Sequence, residues 1–506
     1  MFQLKKNLFF NIISLIVNIA LGFYYTPYLV SSLGIIAYGI VPLAIIISQY
    51  ISILTTSLTG SLTRFYAVEI QNRDFEKASN YLSSSLFVIL GIIILTIPLF
   101  IVIIYYFDKI FNIPNIFLNS AKLLFIYTLL SFYFSLISSF FNIFLYANNR
   151  LDLLNLVNII RTVFKVALNI LFFESISKDI KFIGISNLIS EVIVFFLSIY
   201  LFRNFNFNEV KIKFKYFNKI SLISIGTMTI WVIIHQLGDL AIYKINVFFV
   251  NRFWSTTESG VLGAITDFGY YLLIIISVIG SLFGPIILIA FSKNDHEKVK
   301  KIVLNNSLII GLISTILVSL IICFSKEFLF LWLGKEYVKY SDWLILKLID
   351  LPFYATAGMF SFVYRTWNKV IIPALITIAI GAINVLGIYM VCILSNKEII
   401  YINYILIFSA FCSFFQTYVL GGIMLKHIYV DISKKAIFLI PVKIVVLFFI
   451  IFYTSKLIKY LYTIEKWYQL FFCFSIIGLF ALIISFYFIL SNSSKKYIKS
   501  ELLKKK

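Results

Sequence analysis

The sequence predicts an all-α polytopic membrane protein of about fourteen transmembrane helices. It predicts two six-helix bundles related by a parallel pseudo-two-fold, plus two C-terminal helices. Three observations predict this. Of 506 residues, 61% are Ala, Val, Ile, Leu, Met, Phe, Trp, Tyr or Cys and only 13% are charged, with a mean hydropathy of +0.99. A soluble domain holds about 45–50% apolar and about 25% charged residues, so a water-soluble enzyme is excluded. The apolar residues form nearly charge-free runs such as 86–104, 187–202 and 436–453, and about 20 such residues cross a bilayer as helix. Finally, short motifs of the first half recur, in order, in the second.

The first span, 8–30, follows Lys5 and Lys6. It exceeds the roughly 7–15 apolar residues of a secretion signal and lacks a clear cleavage site, so it reads as a retained helix. Its Asn11, Ser14, Asn18, Gly22 and Tyr25 fall within an arc of roughly 80°. The second, 35–59, contains Gly39-Ile-Val near its start and carries Ser48, Ser52, Thr55, Thr59 and Thr63 on one face, with Arg64 at its inner end. Asp74-Phe-Glu76-Lys77 precedes the third, 81–106, and Lys122 at the start of the fourth, 120–146, is placed to snorkel. The fifth, 153–173, has Asn158, Arg161, Thr162, Lys165 and Asn169 on one face. An unpaired cation at mid-membrane costs at least about 2.5 kcal/mol. Arg161 and Lys165 therefore imply an aqueous cavity, an anionic partner, or neutralisation by Glu191 on the sixth span, 181–202.

The polar stretch 203–219 is far shorter than the roughly 50 residues of a separate domain. Thr227, Trp231, His235 and Asp239 then drift along one side of the seventh span, 220–249, which also holds Lys244. The eighth, 258–291, contains Gly260-Val-Leu, Asp267, Tyr270 and Tyr271. His235, Asp239 and Asp267 are candidate proton or ion carriers. The ninth is 302–324. The tenth, 343–364, bears Lys347 and Asp350, spaced to pair, in a stripe with Tyr354, Gly358, Ser361 and Arg365. The eleventh to fourteenth are 370–394, 399–424, 436–455 and 467–490, with Lys443 near a span end. Polar stripes of this kind either line a wet cavity or bind helices together.

The repeat rests on four matches. Asp74-Phe-Glu76-Lys77 and Asp295-His-Glu297-Lys298 are 221 residues apart, as are Gly39 and Gly260. Asn149-Arg150 matches Asn368-Lys369, and Ala167-Leu-Asn169-Ile-Leu matches Ala382-Ile-Asn384-Val-Leu. An even, six-helix period makes both halves enter from one side, giving segments 1–219, 220–430 and 431–506. With a cytoplasmic N-terminus, 26 Lys/Arg and 9 Asp/Glu lie on the inner side, against 11 and 9 outside. That bias puts both termini in the cytoplasm and explains most of the net charge of +21. Such charge speaks for anionic membrane lipids as partners and against nucleic acid. Cys323, Cys392, Cys412 and Cys473 sit singly in apolar runs, the histidines lie far apart, and no Walker motif occurs, so neither metal nor cofactor is expected.

The chain resembles the Wzx-type oligosaccharide-lipid flippases of the multidrug/oligosaccharidyl-lipid/polysaccharide exporter superfamily. The resemblance runs from the first to at least the twelfth helix. It rests on Thr26-Pro27-Tyr28-Leu29, Gly34-x4-Gly39, Leu62-Thr63-Arg64-Phe65, the Asp74 motif, Leu331-Trp332-Leu333-Gly334 and Asn368-Lys369-x3-Pro373. It implies a cavity lined largely by helices one, two, seven and eight, and alternating access. The first helix lacks the intramembrane Arg or Lys of the related lipid II flippases. The implied function is to flip undecaprenyl-diphosphate-linked oligosaccharide across the bacterial inner membrane for O-antigen, capsule or exopolysaccharide synthesis. Implied partners are the lipid-linked oligosaccharide, a polysaccharide polymerase and a chain-length regulator. Arg64, Arg161 and Lys165 would attract the diphosphate. Asn18 lies on the first helix's polar stripe, and Tyr24, Tyr25, Trp231, Tyr270 and Tyr271 would meet the sugars. An ion-coupled multidrug or cation antiporter of the same superfamily is the alternative. A membrane polymerase or glycosyltransferase is less supported, because the longest outer stretch, about 325–342, holds no acidic catalytic motif.

Overall fold

A computed structural model describes residues 2–46, 49, 53, 57, 62, 65–66, 69–70, 73–148, 150–205, 210–281, 287, 291, 295–367, 369–429, 431–490 and 494–495. Every regular element among them is helical. Among the described residues, thirteen helices are long and apolar enough to cross a membrane. In chain order the main helices are α1 (Phe2–Leu33), α2 (Ile35–Ile46), α3 (Phe75–Tyr105), α4 (Leu118–Ala147), α5 (Leu151–Ser175), α6 (Lys181–Phe205) and α7 (Lys219–Tyr243). There follow α8 (Thr256–Ser281), α9 (His296–Cys323), α10 (Leu351–Thr366), α11 (Ile371–Leu394), α12 (Ile400–Phe414), α13 (Lys434–Leu461) and α14 (Trp467–Ile484). All fourteen expected helices have a counterpart. The polar face of the second, Ser48, Ser52, Thr55, Thr59 and Thr63, and Arg64 lie outside the described residues.

Among the helices that differ in extent from the apolar runs, three do so for a physical reason the structure shows. α3 and α9 begin six residues earlier than hydropathy alone places them, because Asp74 and Asp295 cap them. The Asp74 carboxylate accepts from the Lys77 amide and that of Asp295 from the Lys298 amide, both at 3.0 Å. The cap dihedrals agree within a few degrees, φ −91° and ψ 78° against φ −86° and ψ 72°. An Asp cap contributes about 1 kcal/mol. The tenth span is split into Ser341–Leu348 and α10. There Pro352 supplies no amide donor and its ring crowds the carbonyl four residues back.

The chain divides into two compact units, Met1–Ala264 and Ile265–Lys506, with the boundary inside α8. In the first unit α4 lies along α6, α5 packs against both α6 and α1, and α3 meets α4 and α7. Its core joins Leu82, Ile89 and Phe100 of α3 to Phe132, Phe140 and Phe144 of α4 and to Val194 and Leu201 of α6. At one end of this unit α2 crosses the start of α8 so closely that a side chain does not fit. A Cβ on Gly260 would lie 2.8 Å from the Gly39 Cα and 2.9 Å from the Ile35 carbonyl. Beside this crossing Asn251, fully buried, pairs through its amide with the backbone of Asn112, accepting at 3.1 Å and donating at 3.3 Å. Thr256 Oγ1 donates to the same Asn112 carbonyl at 2.8 Å.

In the second unit α9 is central, flanked by α10, α13 and α14, while α11 and α12 pack together. Its core gathers Val299, Ile302, Val303 and Ile310 of α9 with Met359, Phe360 and Val363 of α10 and with Tyr418 and Leu425 beyond α12.

Candidate functional site

The polar face of α5 is laced to α1 along most of its length. At one end Asp152, 1% exposed, binds Lys6 Nζ at 3.1 Å and Arg150 Nε at 3.1 Å, and accepts from Gln3 Nε2 at 2.7 Å. The Asp152 amide donates to Asn7 Oδ1 at 3.0 Å. Nearer mid-span, Thr162 Oγ1 donates to Asn18 Oδ1 at 2.7 Å, and Asn18 Nδ2 donates to the Ser14 carbonyl at 2.7 Å. Asn18 is thus a helix-joining residue as well as a candidate contact. At the far end the rings of Tyr28 and Phe173 stack at 6.1 Å.

Within this face the ionised groups cluster. Arg161 Nε lies 2.8 Å from Glu191 Oε1 of α6, and Arg161 NH1 donates to Asn158 Oδ1 at 2.8 Å. Neutralisation by Glu191 is therefore realised for Arg161. Lys165, half-buried one turn along, lies within electrostatic reach of the same carboxylate. Two cations thus face one carboxylate. Arg161 remains 27% exposed; of the five N–H donors of a guanidinium, NH1 donates to Asn158 and the buried Nε faces Glu191 as an ion pair. Such a group can hold its structural carboxylate and still offer charge-assisted donors to an oxyanion.

On α7, Trp231, His235 and Asp239 succeed one another at single-turn intervals, all partly exposed. His235 Nδ1 is 3.2 Å from Asp239 Oδ2. Neighbouring residues on a helix point about 100° apart, which separates Tyr24, 73% exposed, from the half-buried Tyr25. In the second unit Asp267 lies within electrostatic reach of Tyr270 and Tyr271, one turn on along α8. Arg64 falls outside the described residues. Lys122 reaches Asp108 at 2.9 Å, at the end of its span.

Asp152 is the residue that sequence reasoning overlooked. Its partners Gln3, Lys6 and Asn7 lie some 145 positions away, and no local pattern marks such a contact. Lys6, read only as a charge setting orientation, is also half of this ion pair.

Residues 4–287 match the family described as polysaccharide biosynthesis protein. The chain is 26% identical over 401 residues to the uncharacterized membrane protein EpsK of Bacillus subtilis (strain 168), covering 74% of each. Among solved structures it is similar to the lipid II flippase MurJ in an inward closed conformation. That likeness has a TM-score of 0.70 at 16% identity and covers 98% of this chain and 99% of the other. It is also similar to an inward-facing multidrug resistance MATE family transporter, with a TM-score of 0.64 at 15% identity, over 83% and 96%. At such identities the structural likeness carries the fold, a multi-pass transporter architecture.

Proposed function

We propose, from the premise that the chain belongs to the polysaccharide biosynthesis protein family, that it flips undecaprenyl-diphosphate-linked oligosaccharide units. The direction is from the cytoplasmic to the outer leaflet of the bacterial inner membrane, with both termini cytoplasmic. The product feeds O-antigen, capsule or exopolysaccharide synthesis, with a polysaccharide polymerase and chain-length regulator as downstream partners. The observation that carries this reading is the α5 cluster, where Arg161 and Lys165 outnumber Glu191 and spare guanidinium donors remain. A diphosphate is the ligand such donors suit best. In the same reading Asn18, Arg64, Tyr24, Tyr25, Trp231, Tyr270 and Tyr271 contact the cargo, and segments 1–219 and 220–430 are the moving halves of alternating access.

The test is surface polysaccharide in cells whose own gene is deleted. Arg161→Gln with Lys165→Gln, at normal protein level, should reduce polymer at least about tenfold, the loss of roughly 1.4 kcal/mol of anion binding. Normal polymer in that variant would sink the reading. A second arm addresses the α2–α8 crossing, where repeat-equivalent Gly39 and Gly260 meet. A Cβ on Gly263 would lie 2.6 Å from Pro42 Cβ, a small adjustment from the roughly 3.5–4.5 Å of a disulfide. If alternating access parts this crossing, an oxidised Pro42→Cys, Gly263→Cys pair should halt export and reduction should restore it. The His235–Asp239 pair favours one other reading, a proton-coupled antiporter of cationic drugs. Extrusion of cationic dyes, abolished by Asp239→Asn, would replace the flippase with that reading.

A further inference from the structure

Between α6 and α7 the chain runs as a strap whose described part, 210–218, is bound to the first turns of α3 by three serines. The Lys211 amide donates to Ser79 Oγ at 3.0 Å and the Lys213 amide to Ser83 Oγ at 3.3 Å. The Asn218 amide donates to Ser84 Oγ at 2.9 Å, and Ser84 Oγ donates back to the Asn218 carbonyl at 3.2 Å. Ser79, Ser83 and Ser84 are buried. Val210 is buried in the core of the first unit, Ile212 packs against that core, and Phe217 meets Phe87 of α3 edge-on at 5.6 Å. Lys211 and Lys213 alternate with the inward Val210 and Ile212 and are exposed; Lys215, in the short 3-10 turn Phe214–Tyr216, and Lys219, at the start of α7, are exposed as well. None of the four is in an ion pair among the described residues. The sequence from 210 to 238 contains no Asp or Glu.

The place of the strap decides what these ammonium groups meet. It joins the ends of two candidate membrane spans, Lys181–Asn204 and Lys219–Tyr243. It lies on the first part of α3, whose 31 residues extend about 46 Å against a hydrocarbon core of about 30 Å. The strap therefore runs at headgroup depth. The corresponding strap of the second unit is held differently. There Lys300, 221 residues after Ser79 as the capping motifs are spaced, binds Asp431 in the stretch before α13 at 2.8 Å, so the holding contact itself consumes charge. Neutral hydroxyls hold the first strap by its backbone and leave every lysine available.

We propose that the strap 210–219 is a preorganised binding comb for anionic phospholipid headgroups, engaging their phosphates through Lys211, Lys213, Lys215 and Lys219. The comb fixes the first unit against one leaflet, the cytoplasmic one in the orientation proposed above. A lysine at a charged surface is worth about fivefold in binding. The test is native mass spectrometry of the full-length protein released from nanodiscs of phosphatidylethanolamine with one quarter phosphatidylglycerol. Lys→Gln at all four positions should lower retained phosphatidylglycerol by more than about tenfold and leave retained phosphatidylethanolamine unchanged. The matching Lys→Arg set, which keeps the charge and the topology signal, should retain it. Ser79→Ala, Ser83→Ala and Ser84→Ala together keep every charge but release the backbone, and should lower retention severalfold. Unchanged phosphatidylglycerol in the Lys→Gln set, or equal loss of both lipids, overturns the proposal. So does retention of an added polyprenyl diphosphate in place of phosphatidylglycerol, which would make the strap a cargo site. Because the readout is lipid retained by purified protein, it stands or falls independently of whether any cargo is flipped.

Discussion

Helices α3 and α9 occupy the same place in the two repeats, begin on the same capped motif and have nearly the same length, yet they are packed in opposite ways. In its most apolar window α9 is 78% buried and α3 only 17%. α9 is enclosed by α10, α13 and α14, and buries Asn306, Ser307, Ser314, Thr315 and Ser319. α3 presents Ile94, Leu95, Ile101 and Tyr105 outward, each more than half exposed, as a lipid-facing helix does. The repeat supplies both helices with a start and a direction. The appended C-terminal helices decide which of them becomes interior. Apolar side chains are equally content against lipid or protein, so hydrophobicity alone does not choose; close packing and polar contacts do.

The most disruptive way to probe this contrast is to add bulk at two comparable glycines. Gly311 of α9 faces Thr356 and Ile444, whose Cδ1 would lie 2.9 Å from a new Cβ, whereas Gly91 of α3 has nothing within 4 Å. Gly311→Leu should destabilise by about 3 kcal/mol through overpacking, read as a fall in melting temperature of purified protein. Gly91→Leu should leave it unchanged. Equal effects would mean that the two helices share one environment after all.

A smaller effect separates what the helices have in common from what they do not. Asp74→Ala and Asp295→Ala should each lose about 1 kcal/mol, because the cap is local and indifferent to burial further along. A twofold larger loss at Asp295 would show that α9's start is coupled to its buried body. Smaller again is the tie of α13 to the short helix Ser325–Trp332. Lys459 Nζ lies 2.7 Å from Glu327 Oε2 and 4.9 Å from the centre of the Phe324 ring. Lys459→Met should lose less than about 1 kcal/mol, as partly solvated pairs do, measured against Glu327→Gln in a double-mutant cycle.

The least effect comes from pH. Asp431 is held below its ordinary value of 3.8 by its hydrogen bond from, and attraction to, Lys300. A depressed carboxylate contributes stability above its unfolded value and loses it as pH falls through the folded one. Asp431→Asn should therefore melt slightly below wild type at pH 7, and the gap should close below about pH 3.8. Asp74, held below its ordinary value by the Lys77 side chain and amide, should give the same sign. A gap that widens in acid would refute the assignment.

Spacing made much of the candidate site legible. The α5 face was readable because Asn158, Arg161, Thr162, Lys165 and Asn169 recur at helical intervals, and Glu191 stood on the next helix as a possible neutraliser. Whether Arg161 would meet it was open, since a repeating pattern names a face and leaves its neighbour unspecified. The Asp74 and Asp295 motifs were legible as a repeat, while their capping role required backbone geometry. Asn169 and Asn384 match in sequence and are both fully buried. Asn384 accepts from Ser409 at 3.0 Å, and the amide of Asn169 meets no partner among the described residues. The matched motif gives no sign of that difference.

The sequence by itself determined that the chain is a helical membrane protein, where its spans run and that its halves repeat. These follow from the length and polarity of continuous segments, which a bilayer constrains one helix at a time. Only the tertiary structure decided that Arg161 is shared with Glu191, that Asp152 gathers the start of α1, that serines hold the basic strap and that α9 rather than α3 is interior. Each of those depends on groups more than two dozen, and mostly more than a hundred, residues apart. Their meeting is fixed by how helices pack, which no periodicity within a single helix encodes.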